Sequence, residues 1–118
     1  MDNKKYRYNH IGIPTTKKMS NEEYLAEYDI YHSGYEENDF NIEWMRYGEK
    51  CKLPEIVQKL PHVAFEVDDI YEAIKGKKVI IEPNSPMEGL IVAFILINEA
   101  PVELMQFSKK KNKTNWNN

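Results

Sequence analysis

The sequence lacks two features that would indicate a secreted or membrane protein. It contains a single cysteine, Cys51, so no intrachain disulfide is possible, and this is typical of a reducing compartment. Its longest apolar run, residues 90–97, has eight residues, whereas a membrane-spanning helix needs about 20. No signal peptide is recognisable before the first predicted strand. We therefore expect a cytoplasmic protein without a membrane partner.

The chain also has few basic residues outside its last ten positions. Four of its 16 basic side chains lie in residues 109–118, where there is no acidic residue. Residues 1–108 carry 12 basic and 19 acidic side chains, so their formal charge is −7. Because nucleic-acid-binding surfaces are basic, this charge argues against nucleic acid as a partner. We expect the basic tail to be a solvated terminus, with polyanion binding as the alternative.

The sequence does contain a repeated order of polar residues within its predicted apolar strands. Four segments have the alternation of a β-strand, and each carries a histidine or glutamate at a matching place in its half of the chain. In chain order they are His10 in residues 6–13, Glu43 in residues 40–47, His62 in residues 61–67 and Glu103 in residues 101–107. A chain of 118 residues suits two small modules that share a core. The repeated order indicates one module present twice.

The second half has the clearer pattern of elements. After the strand at residues 61–67, Asp68 or Asp69 is a suitable N-cap for a helix that ends before Gly76. Three strands follow, at residues 77–82, 90–97 and 102–107. Residues 83–89 are predicted to form a turn rich in Pro, Asn and Ser, of the kind often mobile over a site. This half therefore has the order βαβββ.

The first half is predicted to be shorter. Ser20 and Glu23 have the spacing of a capping box, which predicts a helix over residues 20–28. Only one strand, residues 28–33, is then predicted before the strand at residues 40–47. The order of this half is βαββ, an abbreviated form of the second.

These elements predict an α+β fold in which paired βαβββ modules, the first abbreviated, form one curved mixed sheet. The sheet is expected to make a cup with the helices on its outer face. Residues 1–57 comprise the first module and a linker, residues 58–108 the second module, and residues 109–118 the basic tail, together one structural domain. Within the linker, Pro54 is expected to open a single helical turn.

The four polar strand residues are candidate metal ligands. If the first and last strands of both modules are central in the sheet, His10, Glu43, His62 and Glu103 converge in one groove. Imidazole and carboxylate groups together suit zinc, nickel, iron, cobalt or manganese. An isolated histidine or glutamate in a strand is more often structural. The repetition, and the apolar neighbours of each glutamate, favour a site, because buried charges need partners.

At these residues the sequence resembles the vicinal oxygen chelate superfamily, which includes glyoxalase I and the bleomycin-resistance proteins. The resemblance lies in residues 8–13, 42–44, 61–69 and 101–104 and extends over about residues 6–107. It implies a metal cup with His10, Glu43, His62 and Glu103 as ligands. It also implies a lyase or isomerase that stabilises an enediolate, with Glu103 or Glu43 as the catalytic base.

Two other activities are compatible with this resemblance. One is a non-catalytic drug- or metabolite-binding protein of the bleomycin-resistance type, and the other is an enzyme similar to the extradiol dioxygenases, which use two His and one Glu. Glutathione-using members have an Arg four residues after the first His and an Asn four residues after the first Glu. Pro14 and Tyr47 occupy these places here. Glutathione recognition is therefore not implied.

Alternation in the strands also predicts the surroundings of the site. Tyr8, Met45, Tyr47, Met105 and Phe107, with Tyr6 nearby, are expected on the ligand face and predicted to line a substrate pocket, with core or dimer packing as the alternative. The apolar residues of the opposite face should pack beneath the helices. His32 is expected at the surface, and Cys51 is expected to be inert. We expect a homodimer, since small cups of this kind often complete a wall with a second chain.

Overall fold

The structure is a computed structural model and describes residues 5–108 of the chain. Its strands are β1 (Arg7–Pro14), β2 (Glu23–Leu25), β3 (Ile30–Ser33), β4 (Ile42–Tyr47), β5 (His62–Glu66), β6 (Lys78–Met87), β7 (Leu90–Ile97) and β8 (Ala100–Phe107). Its helices are α1 (Glu55–Lys59), α2 (Ile70–Ala73) and a 3-10 turn at Tyr35–Glu37. None of the helices within the described range has the length and hydropathy to cross a membrane.

All eight strands belong to one curled mixed sheet in the order β2-β3-β4-β1-β5-β8-β7-β6. β1 pairs in parallel with β4, β5 pairs in parallel with β8, and β1 and β5 pair antiparallel at the centre. The first and last strands of both halves are therefore central, and the α+β cup that the sequence predicts is confirmed. The basic tail, residues 109–118, lies outside the described residues.

Helix α2 packs on the outer face of the second half. The Asp69 side chain caps it by accepting from the backbone N–H groups of Tyr71 and Glu72. Its Ile70 is fully buried and belongs to a core cluster with Val67, Ala93, Ile95 and Leu104. Helix α1, opened by Pro54 as predicted, is different, because its buried Val57 lines a cavity on the inner face.

The helix predicted over residues 20–28 is wrong. Residues Glu23–Leu25 instead form an edge strand that pairs with β3, and the Tyr24 ring stacks on Tyr31 with centroids 4.4 Å apart. The carboxylate of Glu22 binds Arg46 through two hydrogen bonds of 2.7 and 2.8 Å. These contacts outweigh a local capping pattern whose helix is too short to be stable alone. The first half is thus four strands without a helix, and its outer apolar residues remain partly exposed.

The turn predicted at residues 83–89 is also wrong. Strand β6 continues to Met87, and the reversal occurs at Glu88 and Gly89, where Gly89 has a φ of 83°. The pairing of β6 with β7 contains register shifts, and Asn84 and Ser85 donate side-chain hydrogen bonds to backbone carbonyls there. An edge strand tolerates prolines and such irregularities because one side of its backbone needs no strand partner.

A bulge in β1 reverses the faces predicted for Tyr6 and Tyr8. The pairing with β5 shifts between Tyr8, which is opposite Phe65, and His10, which is opposite Ala64. The extra residue places Tyr8 on the outer face and leaves His10 on the inner face. Tyr6 packs edge-on against Phe65, with centroids 6.3 Å apart. Strict alternation fails here because a bulge adds one residue to the count.

Candidate metal centre

The four candidate ligands lie in two adjacent rows across the central strands. Gly12 is directly opposite both Glu43 and His62, and Ala64 is directly opposite both His10 and Glu103. Each row therefore has a small residue between two polar side chains. This arrangement leaves space for the imidazole rings. A Cβ atom at residue 12 would lie 2.4 Å from Cε1 of His62, so only glycine fits there.

The facing atoms of three of these side chains, His10, His62 and Glu103, have the separations of ligands around one ion, and Glu43 lies beside this set. Nε2 of His62 is 3.1 Å and Nε2 of His10 is 3.4 Å from the same atom, Oε1 of Glu103. Oε1 of Glu43 is 3.5 Å from Nε2 of His10. Metal bonds of about 2.1 Å separate neighbouring donors by about 3.0 Å at right angles and about 3.4 Å at tetrahedral angles. His10, His62 and Glu103 could therefore hold a metal ion, with their donor atoms within 4.8 Å of one another.

The Glu103 carboxylate is buried but remains ionised. Burial alone would raise its pKa, but hydrogen bonds from His10 and His62 and their charges lower the pKa to about 2. The pKa of His10 is raised, because the hydrogen bond with Glu103 and the charges of Glu103 and Glu43 outweigh the lowering by burial. The exposed fractions are 6% for His10, 3% for His62 and 9% for Glu103.

Asn9 orients the His10 ring, a role that the sequence did not predict. The Asn9 amide nitrogen donates to Oε2 of Glu66 at 2.7 Å, so its oxygen faces Nδ1 of His10, also at 2.7 Å. Because a carboxylate only accepts, this chain makes Nδ1 the protonated nitrogen in the neutral ring. Nε2 then presents its lone pair to the site, which is the usual way in which an outer residue prepares a metal-binding histidine.

His62 has no comparable support. Its Nδ1 atom is buried and has no hydrogen-bond partner among residues 5–108. A buried polar atom without a partner is uncommon and often marks a functional site. The ring is held instead by packing, because Phe94 contacts it edge-on with centroids 5.0 Å apart.

The sequence analysis expected His32 at the surface. In the structure it lies at the site instead. Its Nδ1 is 2.9 Å from Oε2 of Glu43, and its side chain is 24% exposed. The hydrogen bond with Glu43 raises the pKa of His32. The contact depends on the pairing of β3 with β4, an antiparallel pair in which His32 is opposite Met45. Two residues along β4, Glu43 points to the same face as Met45.

An apolar cavity of about 120 Å³ adjoins His62 and Glu103. Of the predicted pocket residues, Met45 and Tyr47 line it. Met105 and Phe107 lie instead in an apolar cluster with Ala64, Leu90 and Val92. Tyr8 is exposed on the outer face, where its hydroxyl donates to the carbonyl of Phe40. Cys51 lies outside the lining of this cavity, and burial raises its pKa.

Comparisons with known proteins extend over almost the whole chain. No family model and no curated protein matches the sequence. A hypothetical protein of Bacillus halodurans has a similar structure, with a TM-score of 0.68 and 22% identity over 90% of this chain and 97% of that one. The methylmalonyl-CoA epimerase of Mycobacterium tuberculosis has a TM-score of 0.66 and 14% identity over 96% of each chain.

The two solved structures share the overall fold of this chain. This likeness and the single curled sheet agree with the fold that the resemblance in the sequence implied. At these identities the comparisons establish the fold, and the activity has to be argued from the site itself.

Proposed function

We propose that this protein is a metal-dependent isomerase or lyase of the glyoxalase type, which moves a proton on a small molecule. The observation that carries the proposal is the convergence of His10, His62 and Glu103 at ligand-like separations on central strands. The structural likeness to an epimerase supports it. The proposed metal is a divalent ion among zinc, nickel, iron, cobalt and manganese, which accept imidazole and carboxylate together.

In this proposal Glu43 completes the ligand set and also acts as the base. The bound metal supplies Lewis-acid stabilisation of the negative charge that develops on two neighbouring substrate oxygens. Glu43 is preferred to Glu103 as the base, because Glu103 belongs to the three residues whose donor atoms lie within 4.8 Å of one another, whereas Glu43 lies beside that set. Glu43 contacts His10 with one oxygen and His32 with the other, so these two contacts would keep its carboxylate oriented to take the proton.

A dioxygenase-like enzyme is the second candidate. Two histidines and one carboxylate, the set that lies within 4.8 Å here, are also the ligands of many non-haem iron oxygenases. The isomerase is preferred because Glu43 provides a second carboxylate, a fourth candidate ligand beside the three. Oxygen consumption by the iron-loaded protein would decide for the dioxygenase. A bleomycin-type binding protein would bind ligand equally well without metal. The homodimer and the cytoplasmic location remain predictions.

Proton exchange in D2O tests the proposal. Metal-loaded protein is incubated with α-ketoaldehyde–thiol adducts and epimerisable thioesters, and loss of the substrate C–H signal is followed by NMR. The wild type should catalyse exchange, and Glu43→Gln should reduce the rate at least 100-fold, the usual contribution of a general base. Glu36→Gln, which removes a carboxylate outside the donor set, is the matched control. Equal exchange by both variants would reject Glu43 as the base, and no exchange by wild type on any substrate would count against the isomerase.

A further inference from the structure

The cavity beside the metal centre is apolar and has no lysine or arginine in its lining. Both halves of the chain contribute to it. Its apolar side chains include Leu25, Met45, Val57, Ile81, Val92 and Phe94. His62 and Glu103 form part of the same wall, so a molecule with oxygen atoms at the proposed metal would have its next atoms inside this cavity.

We propose that this cavity binds a short, uncharged hydrocarbon substituent of the substrate, of about four or five carbons. This inference rests on the proposed function for the position of the substrate oxygens. A buried apolar cavity of about 150 Å³ is large enough for benzene, with its six carbons. The volume here, about 120 Å³, is therefore filled by a slightly smaller group. A carboxylate or phosphate at the end of that group would lose its hydration without gaining a cation.

Part of the cavity wall is a contact between the two halves. The hydroxyl of Tyr28, in the loop between β2 and β3, donates to the side-chain oxygen of Asn84 on β6 at 2.8 Å. Both residues also line the cavity. Because their polar atoms are already paired with each other, they add to the wall without offering a charge to the substituent.

Tyr47 provides a hydroxyl group that remains available along the wall. Among the described residues its hydroxyl has no hydrogen-bond partner. Burial raises its pKa, so the hydroxyl remains a neutral donor. A hydroxyl in this position suits an uncharged oxygen close to the metal centre, whereas the deeper lining suits only carbon.

A series of straight-chain alkyl hydroxamates tests the inference, because each presents two neighbouring oxygens and a tail of defined length. Binding of the acetyl to decanoyl members to the zinc-loaded protein is measured by calorimetry. Affinity should rise about fourfold per methylene, the factor that corresponds to about 0.8 kcal/mol per buried CH₂, and stop rising at four or five carbons. A tail of the same length that ends in a carboxylate should bind at least tenfold more weakly.

Two variants change the cavity in opposite directions. Met45→Ala should move the best tail to longer members, and Leu25→Trp, at the exposed edge strand, should move it to shorter ones. Circular dichroism confirms that each variant is folded. An affinity that does not depend on tail length in the zinc-loaded wild type would overturn the inference.

Failure of the proposed function gives a different result. If zinc does not bind, the hydroxamates lose the contribution of the metal at every tail length, and zinc is rejected as the metal. The straight-chain 1-alkanols from ethanol to octanol are then titrated into the metal-free protein and followed by NMR. An optimum at four or five carbons supports the cavity assignment, and no length dependence overturns it.

Discussion

Replacement of Gly12 by alanine should displace the His62 ring and weaken metal binding. The added Cβ would lie 2.4 Å from Cε1 and 2.8 Å from Nε2 of His62. Carbon atoms in contact normally stand at least about 3.5 Å apart, so the ring must move by about 1 Å. Metal–ligand distances tolerate a deviation of only about 0.2 Å. We expect zinc affinity, measured by competition with a chromophoric chelator, to fall by about 10- to 100-fold, the range seen when groups that support a ligand are lost.

The same substitution should cost about 1–3 kcal/mol of unfolding free energy, the usual effect of overpacking a well-packed region. Gly76→Ala is the matched control. Unlike Gly12, Gly76 has a conformation that favours glycine, with a φ of 74°, but no atom lies within 4 Å of the added Cβ. It should lose about 1 kcal/mol of stability and keep its zinc affinity. Native zinc affinity in a folded Gly12→Ala variant would refute the account of this row of the sheet.

Three further predictions concern the surroundings of the centre. His32→Leu should remove the hydrogen bond to Glu43 and change the visible absorption spectrum of the cobalt-loaded protein. His32→Asn, which retains a hydrogen-bond donor, should preserve the spectrum. Unchanged spectra in both variants would exclude a role for His32. Ile70→Ala should lower the free energy of unfolding by about 2–5 kcal/mol in urea denaturation, because Ile70 is the fully buried residue of α2. A loss below about 1 kcal/mol would contradict the packing described. The pKa of Glu103 in the fold lies below its ordinary value of 4.5, so the stability it contributes is present above pH 4.5 and is lost as the pH falls towards 2. Glu103→Gln should flatten this part of the stability profile of the metal-free protein.

Most strands, and which of them lie at the centre of the sheet, could be predicted from the sequence because the prediction uses local patterns. Alternation placed both Glu43 and His62 on the inner face of the sheet. The repeated order of His and Glu indicated which strands of the two halves correspond. Parallel pairing of β1 with β4 and of β5 with β8 then brings the polar residues together. The second half was predicted more completely because its helix is capped locally by Asp69.

The errors arise where a long-range contact or an irregular pairing replaces the local pattern. Glu22 binds Arg46, 24 residues away, so the predicted helix is a strand instead. The bulge between Tyr8 and His10 adds one residue to β1. The residues before it, Tyr6 and Tyr8, therefore face the opposite side of the sheet from the one predicted. His32 was placed at the surface because it has no counterpart in the second half. Its role depends on a side-chain contact with Glu43 across two strands, which periodicity within one strand does not reveal.

Elemental analysis of the protein, purified without an affinity tag and reconstituted with each candidate metal, tests the central claim most directly. The wild type and the Glu36→Gln control should each retain about one divalent ion per chain after dialysis. The double variant His10→Ala/His62→Ala, checked for folding by circular dichroism, should retain none. A wild-type protein that holds no metal after reconstitution, or a double variant that holds as much as the wild type, would contradict the metal centre.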